Sequence, residues 1–161
     1  MSEISTVEVM PQLVLGMKKR GRYQEIAVLL PKLFHFALER KAEIAGYPTF
    51  LCHEITVEDV MKADAEGNAD IEVAVPIKEE VEGAGDIKCY ELPGSKMAKI
   101  VHYGPYETCQ STYEKLFRWI ESNGKSITGP IRELYLNDPR EIPEDEILTE
   151  IYAPIEKSQN R

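Results

Sequence analysis

Gly21-Arg22-Tyr23, followed by Lys32-Leu33-Phe34 and Gly46, recurs 83 positions later (104 − 21 and 129 − 46) as Gly104-Pro105-Tyr106, Lys115-Leu116-Phe117 and Gly129. The chain therefore contains one pattern twice, in halves of about residues 5–80 and 86–156. Duplicated units that cannot each bury a full core pack against one another. We predict a single domain over residues 1–161, with pseudo-twofold symmetry and a ligand cleft between the halves.

Each half predicts the same order of elements: strand, helix, strand, strand. The first half begins with an apolar, β-branched stretch over residues 7–17, which we interpret as one strand bent at Pro11. Apolar residues at helical spacing follow, and Gly46 is the predicted stop signal. Two strands over residues 49–53 and 70–75, joined by an acidic loop, complete this half.

The second half repeats this order. Residues 87–92 and 97–103 are predicted strands split by a Pro-Gly turn signal. An apolar stripe at helical spacing predicts a helix that ends near Asn123-Gly124, and residues 131–136 and 148–153 form the last strand pair. The predicted fold class is α+β, with an antiparallel sheet and the helices on one of its faces.

The composition excludes several classes of protein. The 19 Lys and Arg residues against 28 Asp and Glu residues give a net charge of −9, which repels phosphate backbones, so we expect no direct nucleic-acid binding. The three histidines and three cysteines lack the spacing of a metal site or a disulfide framework, and we expect no metal and no cofactor. No leader-like start and no apolar run near twenty residues is present, so a cytoplasmic protein without membrane contact is expected.

Alternation along the last two strands predicts an open face with two carboxylates and two tyrosines. If the leucines and the isoleucine of these strands face the helices, the open face carries Glu133, Tyr135, Glu150 and Tyr152. The matching face of the first half is reached through Phe50, Cys52, Glu72 and Ala74. An aromatic box closed by one carboxylate binds lipophilic cations through cation–π and ionic attraction together. The alternative is a merely solvated face, since outward Glu and Tyr are ordinary on antiparallel sheets.

The segment Arg132-Glu133-Leu134-Tyr135-Leu136-Asn137-Asp138-Pro139 resembles a motif of the GyrI-like, or effector-binding-domain, family. The resemblance extends over essentially the whole chain through Gly104-Pro105-Tyr106-Glu107, Leu116-Phe117-Arg118-Trp119-Ile120 and Thr149-Glu150-Ile151-Tyr152-Ala153-Pro154-Ile155. That family includes small-molecule-binding domains fused to bacterial transcription regulators, and also stand-alone versions. Because no helix-turn-helix pattern flanks the motifs, we expect a stand-alone member. The family fold is the duplicated strand-helix-strand-strand unit.

The resemblance also implies a site. Glu133 matches the buried acid of the family's pocket, and aromatic residues around it form a cage. Tyr152 matches an aromatic residue of the closing strand, whereas Tyr106 and Trp119 are looser matches, because Trp119 lies beside the core face of its helix. With Tyr135 and Phe50, these residues form the predicted binding site. The expected partner is a small organic ligand that is lipophilic or cationic.

The sequence leaves three functions open. The first is binding of amphipathic, cationic or reactive organic compounds without turnover. The second is hydrolysis: some stand-alone family members hydrolyse strained cyclopropanoid compounds, and Glu133 and Tyr135 would then be catalytic, since a carboxylate among aromatic rings has a raised pKa suited to acid–base work. The third is an acidic protein-interaction module, for example an inhibitor of gyrase, in which carboxylates compete with phosphates for a basic surface.

Overall fold

The computed structural model describes residues 3–138 and 140–158, which form nine strands and three α-helices and confirm the α+β class. The strands are β1 (Ser5–Val9), β2 (Gln12–Gly21), β3 (Thr49–Cys52), β4 (Ala69–Pro76), β5 (Lys88–Leu92), β6 (Ser95–Tyr103), β7 (Lys125–Ile127), β8 (Ile131–Tyr135) and β9 (Leu148–Lys157). The helices are α1 (Ile26–Glu39), α2 (Val57–Glu66) and α3 (Cys109–Ser122). Pro139, the last residue of the predicted family motif, lies outside the described residues.

The chain divides into two compact units. The N-unit consists of residues 10–94, and its antiparallel strands follow the order β3-β4-β2-β5. The C-unit consists of residues 3–9 and the described part of 95–158, with the order β1-β6-β9-β8 and with β7 also paired to β9. Helices α1 and α2 pack on β4 in the N-unit, and α3 packs on β6 and β7 in the C-unit. The cleft between the sequence halves stays a prediction, as does the single domain.

The duplication holds down to individual strand partners. Helix α3 begins and ends 83 residues after α1, the same offset that separates the repeated sequence motifs. In the N-unit Leu15 pairs with Val75, and in the C-unit Ala98 pairs with Ala153. These partners differ by 83 positions on the first strand (98 − 15) and by 78 on the last (153 − 75). Residues of the paired strands therefore have defined counterparts in the other unit, whereas helix α2 has no α-helical counterpart in the described residues between β8 and β9.

The two sequence halves exchange their first strands. The prediction of one strand bent at Pro11 is wrong, because Pro11 separates β1 from β2, and these two strands belong to different units. Strand β1 pairs with β6 in the C-unit, whereas its counterpart β5 pairs with β2 in the N-unit. A proline lacks the N–H that a continuous ladder needs, so the chain can leave one sheet partner there and join another. The boundaries of the compact units therefore differ from those of the sequence repeat.

Two further expectations about the N-unit are corrected. The acidic loop predicted between β3 and β4 contains helix α2. Thr56 caps the start of this helix, where its Oγ1 accepts a hydrogen bond of 3.0 Å from Asp59 N. Gly67, with a φ of 68°, follows its last residue. Such caps are typical helix boundaries, but only Ala63 of α2 is buried, so its apolar pattern is weak. Helix α1 ends at Glu39, before the predicted stop at Gly46, because residues 40–46 form turns and an isolated bridge.

Glu72 is a buried carboxylate of the N-unit. It is 4% exposed and accepts hydrogen bonds of 2.6 Å from Tyr90 Oη and 2.7 Å from His53 Nε2. Gly16 leaves room for this arrangement, since a Cβ at this position would lie 2.2 Å from Tyr90 Oη. The strand register pairs Glu72 with Leu51 and Val73 with Phe50. Because Glu72 and Val73 are neighbours on β4, they project to opposite faces of the sheet. The predicted common face of Phe50 and Glu72 is therefore wrong.

Candidate functional site

Glu133 lies on the face of the C-unit sheet that packs against helix α3. The register of β8 and β9 pairs Glu133 with Ile151 and Tyr135 with Thr149, and directly paired residues project to the same side of a sheet. Ile151 and Thr149 are both fully buried. The side chain of Tyr113, on α3, reaches Glu133 from the other side of this interface. Glu133 therefore lies between the sheet and the helix.

This register corrects the predicted open face. Leu134 pairs with Glu150, and Tyr152 pairs with Arg132, so these four residues share the face opposite to Glu133. Alternation along one strand shows which residues share a face within that strand. It does not show how the residues of two strands are aligned, and the predicted alignment was wrong by one residue.

Two tyrosines donate hydrogen bonds to the Glu133 carboxylate. Tyr113 Oη donates to Oε2 in a short contact, and Tyr135 Oη donates to Oε1 at 2.8 Å. The ring of Tyr106 meets the ring of Tyr135 edge to face, with centroids 5.3 Å apart. Glu133 and Tyr135 keep partial solvent exposure, and Tyr106 is 37% exposed. The carboxylate thus has its hydrogen-bond donors in place and remains partly open to solvent.

Burial raises the pKa of Glu133 above its ordinary value of 4.5, although the hydrogen bonds from Tyr113 and Tyr135 and the charge of a protonated His102 act in the opposite direction. Burial and the charge of Glu133 hold the pKa of Tyr135 well above its ordinary range, and the same two causes raise the pKa of Tyr106. The tyrosines therefore keep their protons and act as donors at neutral pH. Burial therefore favours the protonated form of Glu133 more than that of an exposed carboxyl group.

Polar side chains continue from Glu133 toward β6. His102, on β6, shares a hydrogen bond of 2.7 Å with Thr112 Oγ1 through Nδ1 and lies 2.9 Å from the carbonyl oxygen of Pro105 through Nε2. Because a carbonyl oxygen only accepts, Nε2 carries the proton and donates. Burial, reinforced by the charge of Glu133, raises the pKa of the Cys109 thiol to about 12. This thiol stays protonated and is a poor nucleophile at neutral pH.

The other predicted site residues lie elsewhere. Tyr152, on the opposite face of β9, donates a hydrogen bond of 2.8 Å to Glu150, and Lys99 Nζ lies 5.5 Å from the centre of its ring. Phe50 belongs to the N-unit, where it is 3% exposed and contacts the ring of Tyr23. Trp119 follows Tyr113 by six residues on α3, and a rotation of about 100° per residue turns it away from the face of Tyr113.

Comparison of the repeats identifies the polar residues that the sequence patterns missed. The offsets of 83 and 78 assign an N-unit counterpart to each polar residue around Glu133. Tyr106 has the same residue type as its counterpart Tyr23, and the others differ from theirs. Phe50, Cys52, Ile71, Leu30 and Lys19 occupy the positions of Glu133, Tyr135, Thr149, Tyr113 and His102, respectively. One repeat therefore has a mainly apolar interface where the other has a carboxylate and its donors. This contrast was available in the sequence once the two halves were aligned.

Among the described residues, no three or more His, Cys, Asp or Glu side chains are grouped so that they could hold a metal ion. No helix in the described part of the chain is both long and apolar enough to cross a membrane. A surface depression of the N-unit is lined by residues 80–85 and 87–89, and this set includes none of the predicted site residues.

Several solved structures share this fold. The C-terminal domain of EcmrR has a TM-score of 0.85 and 21% identity, over 97% of this chain and 98% of that domain. This chain spans only 58% of EcmrR as seen in its complex with DNA. A hydrolase encoded by lin2189 from Listeria innocua has a TM-score of 0.67 and 13% identity, over 96% of this chain and 92% of that one. SAV2435 bound to tetraphenylphosphonium has a TM-score of 0.62 and 14% identity, over 96% of this chain and 94% of that one.

TM-scores of 0.62 to 0.85 show a common fold, and at identities of 13% to 21% the likeness shows the fold alone. The family is shown by the sequence itself, because a family model matches residues 2–156, nearly the whole chain. On that match, this chain belongs to the GyrI-like small molecule binding domain family.

Proposed function

We propose that this protein binds an amphipathic organic cation at Glu133. The observation that carries the proposal is the carboxylate on the helix-packed face of β8, at the position where the repeat has Phe50. A charged side chain in such an interface loses hydration, and native proteins place one there when it is paired or has a function. Tyr113 and Tyr135 satisfy its hydrogen bonds but do not neutralise its charge.

The neighbouring rings suit a lipophilic cation. Tyr106 and Tyr135 stand edge to face beside the carboxylate, and Tyr106 keeps 37% of its surface exposed. A delocalised cation gains from the ring quadrupoles and from the charge of Glu133, and both attractions are stronger where water is excluded. SAV2435, which shares the fold, has been solved with the lipophilic cation tetraphenylphosphonium. The net charge of −9 also favours cations over nucleic acid, so we propose no direct contact of this chain with DNA.

Tetraphenylphosphonium and tetraphenylborate test this proposal, because the two ions have nearly the same shape and opposite charge. In isothermal titration calorimetry at pH 7.5, we expect tetraphenylphosphonium to bind with micromolar affinity. Tetraphenylborate should bind at least about tenfold more weakly, since it meets the carboxylate with a like charge. Equal affinities for the two ions would show that burial of the phenyl rings alone drives binding and would contradict a role for the Glu133 charge.

Hydrolysis of a cyclopropanoid electrophile is the second candidate. It is favoured by the raised pKa of Glu133 together with the O–H groups of Tyr113 and Tyr135 on the same carboxylate. Glu133 would take a proton from water as the water oxygen bonds to a ring carbon. The ring C–C bond would break, its electron pair would pass to a conjugated carbonyl oxygen, and that oxygen would gain a proton from a tyrosine, which Glu133 then reprotonates.

Mass spectrometry of the small molecule separates this reaction from binding. Incubation of a spirocyclopropyl dienone with the protein should give the water adduct faster than buffer does. Glu133→Gln should lower that rate by about a hundredfold or more, the usual effect of losing a general base. If the water adduct forms no faster with the protein than in buffer, hydrolysis is contradicted. Binding without turnover then remains the proposed function.

A further inference from the structure

Thr149 has a buried hydroxyl beside the proposed site. Its side chain is 0% exposed, and across residues 3–138 and 140–158 its Oγ1 has no hydrogen-bond partner. Buried polar atoms in native proteins nearly always have a partner, because an unpaired one forfeits its hydration without compensation. Because no described residue supplies this partner, either an ordered water molecule or a bound ligand has to supply it.

The position of Thr149 connects it to the Glu133 site. It pairs directly with Tyr135 on β8 and with His102 on β6, so the three side chains form one row across the face that also carries Glu133. Directly paired Cβ atoms lie about 4.5–5.5 Å apart, within reach of one bound molecule. Tyr135 Oη already donates to Glu133, and both nitrogens of His102 are already in hydrogen bonds. Neither Tyr135 nor His102 therefore supplies a hydrogen-bond partner for the Thr149 hydroxyl.

The repeat shows that the fold does not require this hydroxyl. Ile71 occupies the counterpart of Thr149, 78 positions earlier, and is also fully buried. Both residues are β-branched and suit the same backbone. The C-unit therefore carries a hydroxyl where the equivalent strand of the N-unit has an apolar side chain. This hydroxyl lies in the row that contains Tyr135, one of the two hydrogen-bond partners of Glu133.

We propose that Thr149 is a specificity-determining residue, whose hydroxyl hydrogen-bonds to a polar group carried by the cation at Glu133. This inference rests on the proposed function. It narrows the ligand class to amphipathic cations that carry a hydroxyl, amine or carbonyl group in addition to their charged centre. A hydroxyl can donate or accept, so Thr149 is suited to any of these groups.

Butyltriphenylphosphonium and (3-hydroxypropyl)triphenylphosphonium test the inference, because they differ by a methyl group against a hydroxyl. The preference of a protein is the Kd of the butyl compound divided by the Kd of the hydroxypropyl compound. We expect this ratio to be about fivefold larger for the wild type than for Thr149→Val, which is the effect of one neutral hydrogen bond. The affinity of Thr149→Val for the butyl compound should stay within about twofold of the wild type. Thr149→Ser keeps the hydroxyl and should keep the preference.

Thermal unfolding without ligand provides a second measurement. Thr149→Val should unfold at the same or a higher temperature than the wild type, because it removes an unpaired buried hydroxyl at nearly constant volume. A clear fall in unfolding temperature would show that the hydroxyl has a structural partner and would overturn the inference. If both probes bind and their affinity ratio is the same in wild type and Thr149→Val, the Thr149 inference alone fails. If neither probe binds the wild type, the proposed function fails as well.

Discussion

Glu133→Gln is expected to weaken binding of tetraphenylphosphonium by about tenfold to a hundredfold, while the protein stays folded. The carboxylate supplies the charge that attracts the cation, and a charge-assisted contact contributes about 1–3 kcal/mol. Gln is nearly isosteric with Glu and can still accept a hydrogen bond from Tyr113 or Tyr135, so the helix–sheet contact should persist. Calorimetric titration of the two proteins under the same conditions measures the difference.

Stability should change in the opposite direction to binding. The folded pKa of Glu133 is raised above the ordinary value of 4.5, so the folded state holds this proton more tightly than the unfolded state does. The wild type should therefore lose stability relative to Glu133→Gln as pH rises from about 4.5 through the folded pKa. At neutral pH the variant should be as stable as the wild type or more stable. Urea unfolding between pH 4 and pH 8 tests this sign.

Glu150→Gln is the matched control for Glu133→Gln. Glu150 lies on the opposite face of the same sheet, where Tyr152 and Lys99 contact its carboxylate. Its replacement changes the net charge by the same amount and should leave the affinity for tetraphenylphosphonium within about twofold. Two outcomes would contradict the assignment of the site: unfolding of Glu133→Gln, which would make this carboxylate a structural group, or an equal loss of affinity in both variants.

Leu33→Ala and Leu116→Ala should each destabilise the protein by about 2–5 kcal/mol. These leucines are counterparts 83 positions apart on α1 and α3, and both are 0% exposed, so each truncation leaves a cavity at a helix–sheet interface. The equal burial predicts similar costs in the two units. Guanidinium unfolding followed by circular dichroism measures each cost.

The shape of the unfolding curve also tests the prediction of a single domain. If the two units fold as one domain, each substitution should move one cooperative transition, and both variants should keep the unfolding slope of the wild type. Exposed Val28, on α1, provides the control, since Val28→Ala removes little buried surface and should change the stability by less than about 0.5 kcal/mol. Two separate transitions, each moved by one leucine only, would contradict a single domain.

The two repeats differ in their side chains rather than in their backbone around Glu133. Both units keep the same strand register and the same helix length, so the backbone does not distinguish Phe50 from Glu133. Tyr23 and Tyr106 are an aromatic pair that the two units share, but the rings they contact lie at different positions: Phe50 is the counterpart of Glu133, and Tyr135 is the counterpart of Cys52. The chemical difference between the units therefore lies in side chains at one helix–sheet interface.

The sequence by itself determined the duplication, the α+β class and the segment that carries Glu133 and Tyr135. Each of these depends on local information: spacing along the chain, turn residues, and a motif of eight consecutive residues. The end of α3 near Asn123-Gly124 was also predicted from turn residues, whereas the predicted end of α1 at Gly46 was too late. A helix period or a repeat can be read from neighbouring residues because short-range geometry sets it.

Only the tertiary structure decided which face Glu133 occupies and which tyrosine meets it. Strand register and the exchange of β1 and β5 depend on hydrogen bonds between residues far apart in the sequence, and a shift of one residue reverses the face of every side chain. Tyr113 reaches the carboxylate from α3, twenty residues earlier in the chain. Thr149 was visible in the sequence as one more strand residue, and the proposal made for it depends on its burial in a row whose other polar atoms already have partners.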